Sequence, residues 1–170
     1  MEIDKLLTFF GKEYKNKELN EFFRQDSLDL TKEIQAYMQT STYKGLESDV
    51  YTSNEKNGYS LVFEDELNFL EKKNGYYGES GNYYLLCIHC YSQGKDDFNE
   101  YKDELINGIK MSNTREEIRT LMKKPYKGHN FLDRDTWSDI DGFRVSVNYK
   151  KKDTPDMISI VRENSSLPQL

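Results

Sequence analysis

The chain has few of the residues that crosslink, ligate metals or break up secondary structure. It holds two cysteines, two histidines, three prolines and one tryptophan in 170 residues. No apolar run approaches the roughly 20 residues that a membrane-crossing helix requires. Two cysteines, Cys87 and Cys90, do not make a disulfide framework. The N-terminus, MEIDKLLTFFGKEY, carries acids early and has no sustained apolar stretch, so it does not read as a secretory leader, and the cytoplasm is the expected compartment. Positive charge is in deficit: 24 Lys and Arg face 30 Asp and Glu, for a net charge of −6 and a pI near 5.1. That balance disfavours non-specific binding to nucleic acid or to an anionic membrane, both of which select Lys/Arg surfaces. It permits a basic protein partner, and it also suits a protein that is simply kept soluble. Hydrophobic residues are 36% of the chain, below the usual ~45–50%. Aromatics at 14% offset this, because each buries a large area.

Signatures of catalysis and metal binding are equally sparse. HExxH and GxSxG are absent. Cys87-Ile88-His89-Cys90 resembles half of a zinc site, with His129 as a conceivable fourth ligand. On a strand, however, residues 87 and 90 leave opposite faces and do not converge on one ion, which makes them core cysteines. Gly75, Gly78 and Gly81 are spaced like a phosphate loop, but the strand YYLLCIHCY follows instead of a helix, so a hairpin loop is expected. No cofactor or metal is expected.

What the chain does contain is clear periodicity. Helical spacing covers Ile3 to Phe10, with Gly11 at a C-cap position, then Lys17–Arg24, then about Leu28 to Met38 with Ser27 as a capping candidate. In NTREEIRTLMKKPY, Asn113 or Thr114 caps a helix, Glu116 and Glu117 suit its first turn, and Ile118, Leu121 and Met122 form one stripe before Pro125. Strands are expected at 48–53, 58–64, 83–91, 142–150 and 156–162, with a further one possible at Leu67 to Glu71. Tyr59, Leu61 and Phe63 alternate with Ser60, Val62 and Glu64, and Phe143, Val145, Val147 and Tyr149 share one face. The segment around Gly128 reads as polar loop, the lone Trp137 as a core residue just before the strand at 142–150, and the tail from Glu163 as frayed.

The expected fold is α+β: a curved antiparallel sheet of about five to six strands with helix 114–123 on one face and N-terminal helices beside it. In domain terms this is an N-terminal helical segment over 1–45, a sheet-plus-helix core over 46–163 and a tail over 164–170, one domain overall. A short internal echo aligns Leu6–Lys15 with Ile118–Lys127, each a helix end followed by Lys-X-Tyr-Lys.

Two acidic groups stand out as candidate partner-binding residues. Asp96, Asp97 and Glu100, with Asp103 and Glu104, surround only Lys102; Asp133, Asp135, Asp139 and Asp141 surround Trp137 and Arg134. The plain reading is a solvated surface. The functional reading is a contact patch for a basic partner.

The order of motifs resembles immunity proteins that are encoded beside bacterial polymorphic and contact-dependent growth inhibition toxins. The residues that carry the resemblance are Gly58-Tyr59-Ser60-Leu61-Val62-Phe63, the aromatic-rich strand at 83–91, Leu105-Ile106-Asn107-Gly108-Ile109, Thr114-Arg115-Glu116-Glu117-Ile118, Pro125, Trp137, and Asn148-Tyr149 leading to Ile158-Ser159-Ile160. The span is roughly Val50 to Arg162. Two features depart from that pattern: Ile106 stands where Pro follows the Leu, and no Gly precedes Pro125. The resemblance implies a cytoplasmic, non-catalytic protein that binds and neutralises a cognate toxin domain, many of which are basic nucleases, without cofactor, nucleic acid or membrane. It implies nothing about oligomeric state and supplies no toxin-contacting residue. The rival expectations are a non-catalytic interaction module with no toxin partner and a small enzyme that uses carboxylates near Glu64, Asp65 and Glu66.

Overall fold

Helix caps and turn residues decide where each element begins and ends. The computed structural model describes residues 2–40, 49–66, 82–129, 133–150 and 153–163. Four α-helices lie among them: α1 (Ile3–Leu7), α2 (Lys17–Arg24), α3 (Leu30–Met38) and α4 (Arg115–Met122). The strands are β1 (Asp49–Asn54), β2 (Tyr59–Asp65), β3 (Tyr83–Tyr91), β4 (Lys127–His129), β5 (Arg134–Ile140), β6 (Phe143–Tyr149) and β7 (Pro155–Arg162). They form one open antiparallel sheet in the order β1-β2-β3-β7-β6-β5-β4. The fold is α+β, with seven strands where five or six were expected. The two additional strands are β4 and β5, built from the polar, aspartate-rich stretch in which no strand is expected. The possible strand at 67–71, the glycine loop and the tail at 164–170 lie outside the described residues. No described helix is long and apolar enough to cross a membrane.

The described residues fall into two compact units, one of 2–8, 54–60 and 88–163, the other of 9–53 and 61–87. In the second unit, Asn16 caps α2 by accepting the Leu19 N–H at 3.0 Å, and Asp29 caps α3 by accepting the Lys32 N–H at 3.1 Å. Ser27, the expected cap for α3, instead sits in the left-handed region at φ 62°. Buried Asn20 joins the two helices: it donates to the Tyr14 and Asn16 carbonyls and accepts from the Thr31 N–H and hydroxyl. All its polar capacity is used, which is what a buried amide requires. Phe22 meets Phe9 and Phe23 with centroids 5.2 Å apart in each pair.

The first unit holds α4 and the β4–β7 meander. Thr114 caps α4 in a reciprocal capping box: its hydroxyl accepts the Glu117 N–H, and the Glu117 carboxylate accepts the Thr114 N–H at 2.8 Å. The helix stops at Lys123, which adopts φ 52°, two residues before Pro125. Val145, Val147 and Tyr149 are buried while Arg144 is exposed, so β6 keeps the alternation read from its sequence. β2 does not, since Ser60 and Val62 are buried along with Tyr59, Leu61 and Phe63. Both faces of β2 are covered, and Ser60 meets this by sharing a hydrogen bond with the Tyr91 hydroxyl. Trp137 is fully buried on β5.

Both copies of the internal echo place a left-handed residue between a helix and a strand contact: Lys123 (φ 52°) directly caps α4, whereas α1 ends at Leu7 with a right-handed cap at Thr8 and Gly11 (φ 84°) follows four residues on. The Gly11 and Tyr14 N–H groups donate to the Leu85 and Tyr83 carbonyls, whereas Lys127–His129 pairs with β5.

Candidate functional site

The two groups of acids are set out differently from a sequence cluster. Asp133, Asp135, Asp139 and Asp141 are adjacent only along the chain. Because Arg134–Ile140 is a strand, Asp133 and Asp141 flank opposite ends of a segment roughly 20 Å long at ~3.3 Å per residue. Asp139 (φ 55°) sits within β5 at the register shift between Trp137 and Ile140, and Asp141 (φ 53°) with Gly142 (φ 84°) forms the β5–β6 turn. Asp133 opens β5 at φ 45°. Asp96 and Asp97 adopt φ 49° and 67° in the turn after β3, where the Gly94 N–H donates to the Phe98 carbonyl at 2.8 Å. Aspartate is among the few non-glycine residues that tolerate this region, because its short side chain bonds locally. These five acids therefore have a conformational reason to be there, independent of any partner.

Asp135 is not a surface residue, which corrects its place in the expected contact patch. Its side chain is fully enclosed, and each carboxylate oxygen accepts two hydrogen bonds. Oδ1 takes Arg115 Nη2 at 2.9 Å and Arg119 Nη2 at 3.1 Å; Oδ2 takes Arg115 Nε at 3.0 Å and Arg119 Nε at 2.8 Å. Burial alone would raise this carboxyl's pKa. The two guanidiniums overcome that and hold it below its ordinary value. Arg115 reaches further, to Asp133 at 2.6 Å and Asp153 at 3.7 Å, and lies 4.5 Å from the Tyr149 ring centroid. Bonds from Asp135 push the Arg115 pKa up, and burial beside Asp135 does the same to the Tyr149 hydroxyl. Two signals for this network were present in the sequence: arginines at i and i+4 share a helix face, and Asp135 alternates with polar neighbours as strand residues do.

The other group is partly neutralised by lysines besides Lys102. Lys95 pairs with Asp96 at 3.4 Å and with Asp156 at 3.7 Å, and Lys110 pairs with Glu104 at 2.7 Å. Glu100 takes Lys102 at 2.7 Å, and its N–H donates to Gln93 Oε1. Asp96, Asp97, Asp139 and Asp141 remain exposed.

The carboxylates of the enzyme alternative also have local roles. Burial, and after it Asp49 and Asp65, pushes Glu64 up to about 7. Glu66 accepts hydrogen bonds from the Tyr84 hydroxyl at 3.2 Å and the Asn82 amide at 3.3 Å. Burial and the Glu66 charge raise Tyr84 to about 12. Asp65 is fully buried. Cys87 and Cys90 are buried and not joined in a disulfide. Burial lowers the pKa of His89, whose Nδ1 lies 2.8 Å from the Ser159 hydroxyl. Among the described residues no group of three His, Cys, Asp or Glu side chains is placed to hold a metal ion.

Comparison with protein-family models, with curated proteins and with solved structures finds no match to this chain.

Proposed function

We propose that this is an immunity protein, which neutralises a cognate contact-dependent growth inhibition toxin by direct binding, with a basic nuclease domain as the partner its charge suits. What supports the reading is the ordered series of motif residues, each seated where a fold determinant belongs. Gly58 adopts φ 75° before β2, and a Cβ there would come within 2.4 Å of the Asn99 carbonyl oxygen. Ile106–Gly108 forms a 3-10 turn, Thr114 begins a capping box, and Trp137 is buried ahead of the closing strands β6 and β7. Binding without turnover is the mechanism. The exposed acids Asp96, Asp97, Asp139 and Asp141 attract a basic toxin from a distance and raise its association rate, and such steering weakens as salt is added.

The experiment is co-expression with the reading frame adjacent to this gene, which is also expressed alone to establish that it arrests growth. Rescue from growth arrest, together with co-purification of the two proteins, is expected. Growth arrest that persists with this protein folded and abundant overturns the reading.

A further inference from the structure

We propose that the exposed segment Lys123–Gly128, which links α4 to the edge strand β4, docks an acidic, extended segment of a partner protein. This goes beyond the toxin reading and does not depend on it.

Every residue from 123 to 128 is exposed. Tyr126, 42% accessible, is one of two large hydrophobic side chains left open among the described residues, the other being Tyr51. Its ring is nevertheless held in place. The Arg119 guanidinium lies 4.3 Å from the ring centroid, and Trp137 is tilted against it at 5.7 Å. Arg119 is itself fixed by its two bonds to buried Asp135. An aromatic immobilised before binding loses little freedom when a partner arrives, and tyrosine is a residue type that dominates interface energies. The tyrosine at the matching place in the internal echo, Tyr14, is only 2% exposed. Exposure at this position is therefore not a requirement of the helix-exit motif.

Charge and topology specify the occupant. In a chain with net charge −6, Lys123, Lys124 and Lys127 flank Tyr126 along this exposed segment, and among the described residues none of them forms a salt bridge. Lys124 donates only to the Asp139 backbone carbonyl. β4 ends the sheet, pairing with β5 through Lys127↔Thr136 and Gly128↔Asp135. A lysine on an edge strand repels a second copy of itself and favours an incoming strand that carries Asp or Glu. A groove of about 420 Å³ at the start of this segment, with Lys123, Lys124 and Asp141 on its walls, offers the partly covered Leu121 to an apolar side chain. A nucleic acid fits less well, because Arg119 already covers a ring face on which a base would stack, and the net charge opposes a polyanion.

The test is fluorescence anisotropy on the full chain, using a labelled peptide of alternating Glu and Val. A matched Lys-Val peptide and poly-uridine RNA are the comparisons. The Glu-Val peptide should bind in preference to both, and binding should weaken with salt. Lys124→Glu with Lys127→Glu should weaken it by at least about tenfold, as should Tyr126→Ala. The lysine changes alter only exposed side chains, so circular dichroism should be unchanged, and they decide the question whatever Tyr126→Ala does to the fold. Absence of Glu-Val binding, indifference to the lysine reversals, or tighter binding of RNA each overturns the proposal.

Discussion

Arg119 holds Asp135 through two bonds of 2.8 and 3.1 Å while its guanidinium lies over Tyr126. One side chain thus joins a fully buried carboxylate to an exposed ring. Arg115 shares the same carboxylate, so removing the acid leaves two cations facing an empty socket. Asp135→Ala should destabilise the fold by ~3–5 kcal/mol, as one-sided loss of a buried pair does. Arg119→Met should cost less, because Arg115 still satisfies the acid. Urea unfolding of both variants compares them. Since the folded-state pKa of Asp135 is depressed, its contribution holds at neutral pH and is lost as pH falls through that pKa.

Glu64 predicts the opposite pH slope. Its folded pKa of about 7 lies above the ordinary 4.5. As pH rises through this window the folded chain keeps a proton that the unfolded chain has released, so stability falls, and above about 7 the loss is constant. Glu64→Gln should be more stable than the parent at pH 8 and no more stable at pH 4. Urea midpoints for the pair at both pH values check this, and equal differences at the two would show that Glu64 ionises normally.

α4 offers a graded test of its docking. Ile118 and Met122 are buried to within 1% of complete, while Leu121 is only partly covered and lines the groove. Ile118→Ala should cost ~2–5 kcal/mol, and Leu121→Ala distinctly less. A larger loss at Leu121 would place the helix on the wrong face.

Gly58 should not tolerate a side chain. At φ 75°, with backbone atoms of Asn99 and Tyr101 at 2.4 and 2.5 Å from an added Cβ, alanine must displace main chain. Gly58→Ala is expected among the exceptional substitutions that cost more than ~4 kcal/mol, read as a fall in the urea midpoint or as loss of soluble protein.

The acidic turns allow a clean test of steering. Asparagine also tolerates left-handed backbone, so Asp139→Asn with Asp141→Asn, or Asp96→Asn with Asp97→Asn, removes charge without disturbing the backbone. Stopped-flow association with the proposed toxin partner should slow in at least one pair and lose part of its salt dependence, with thermal stability unchanged. Unaltered rates in both pairs would reduce these acids to turn formers.

Elements with strong periodicity were legible in the sequence. α2 and β3 match residue for residue, and β6 and α4 differ only at their ends. β5 was not, because RDTWSDI has only two large apolar residues and its aspartates resemble loop. Its strand form rests on partners that are distant in sequence, the arginines of α4 among them. Leaving β5 unassigned also merged Asp133, Asp135, Asp139 and Asp141 into one apparent patch. Their separation follows from the strand, and nothing local to those four residues announces it.

Six aspartates, 96, 97, 133, 139, 141 and 153, occupy left-handed positions, and asparagine is sterically acceptable at such positions. Exchanging all six would remove six negative charges and take the formal net charge from −6 to zero. The fold therefore carries a set of sites where electrostatic character can drift in small steps while the core stays constant. A lineage confronted with a succession of different partners can retune its long-range attraction at these sites without redesigning its interior.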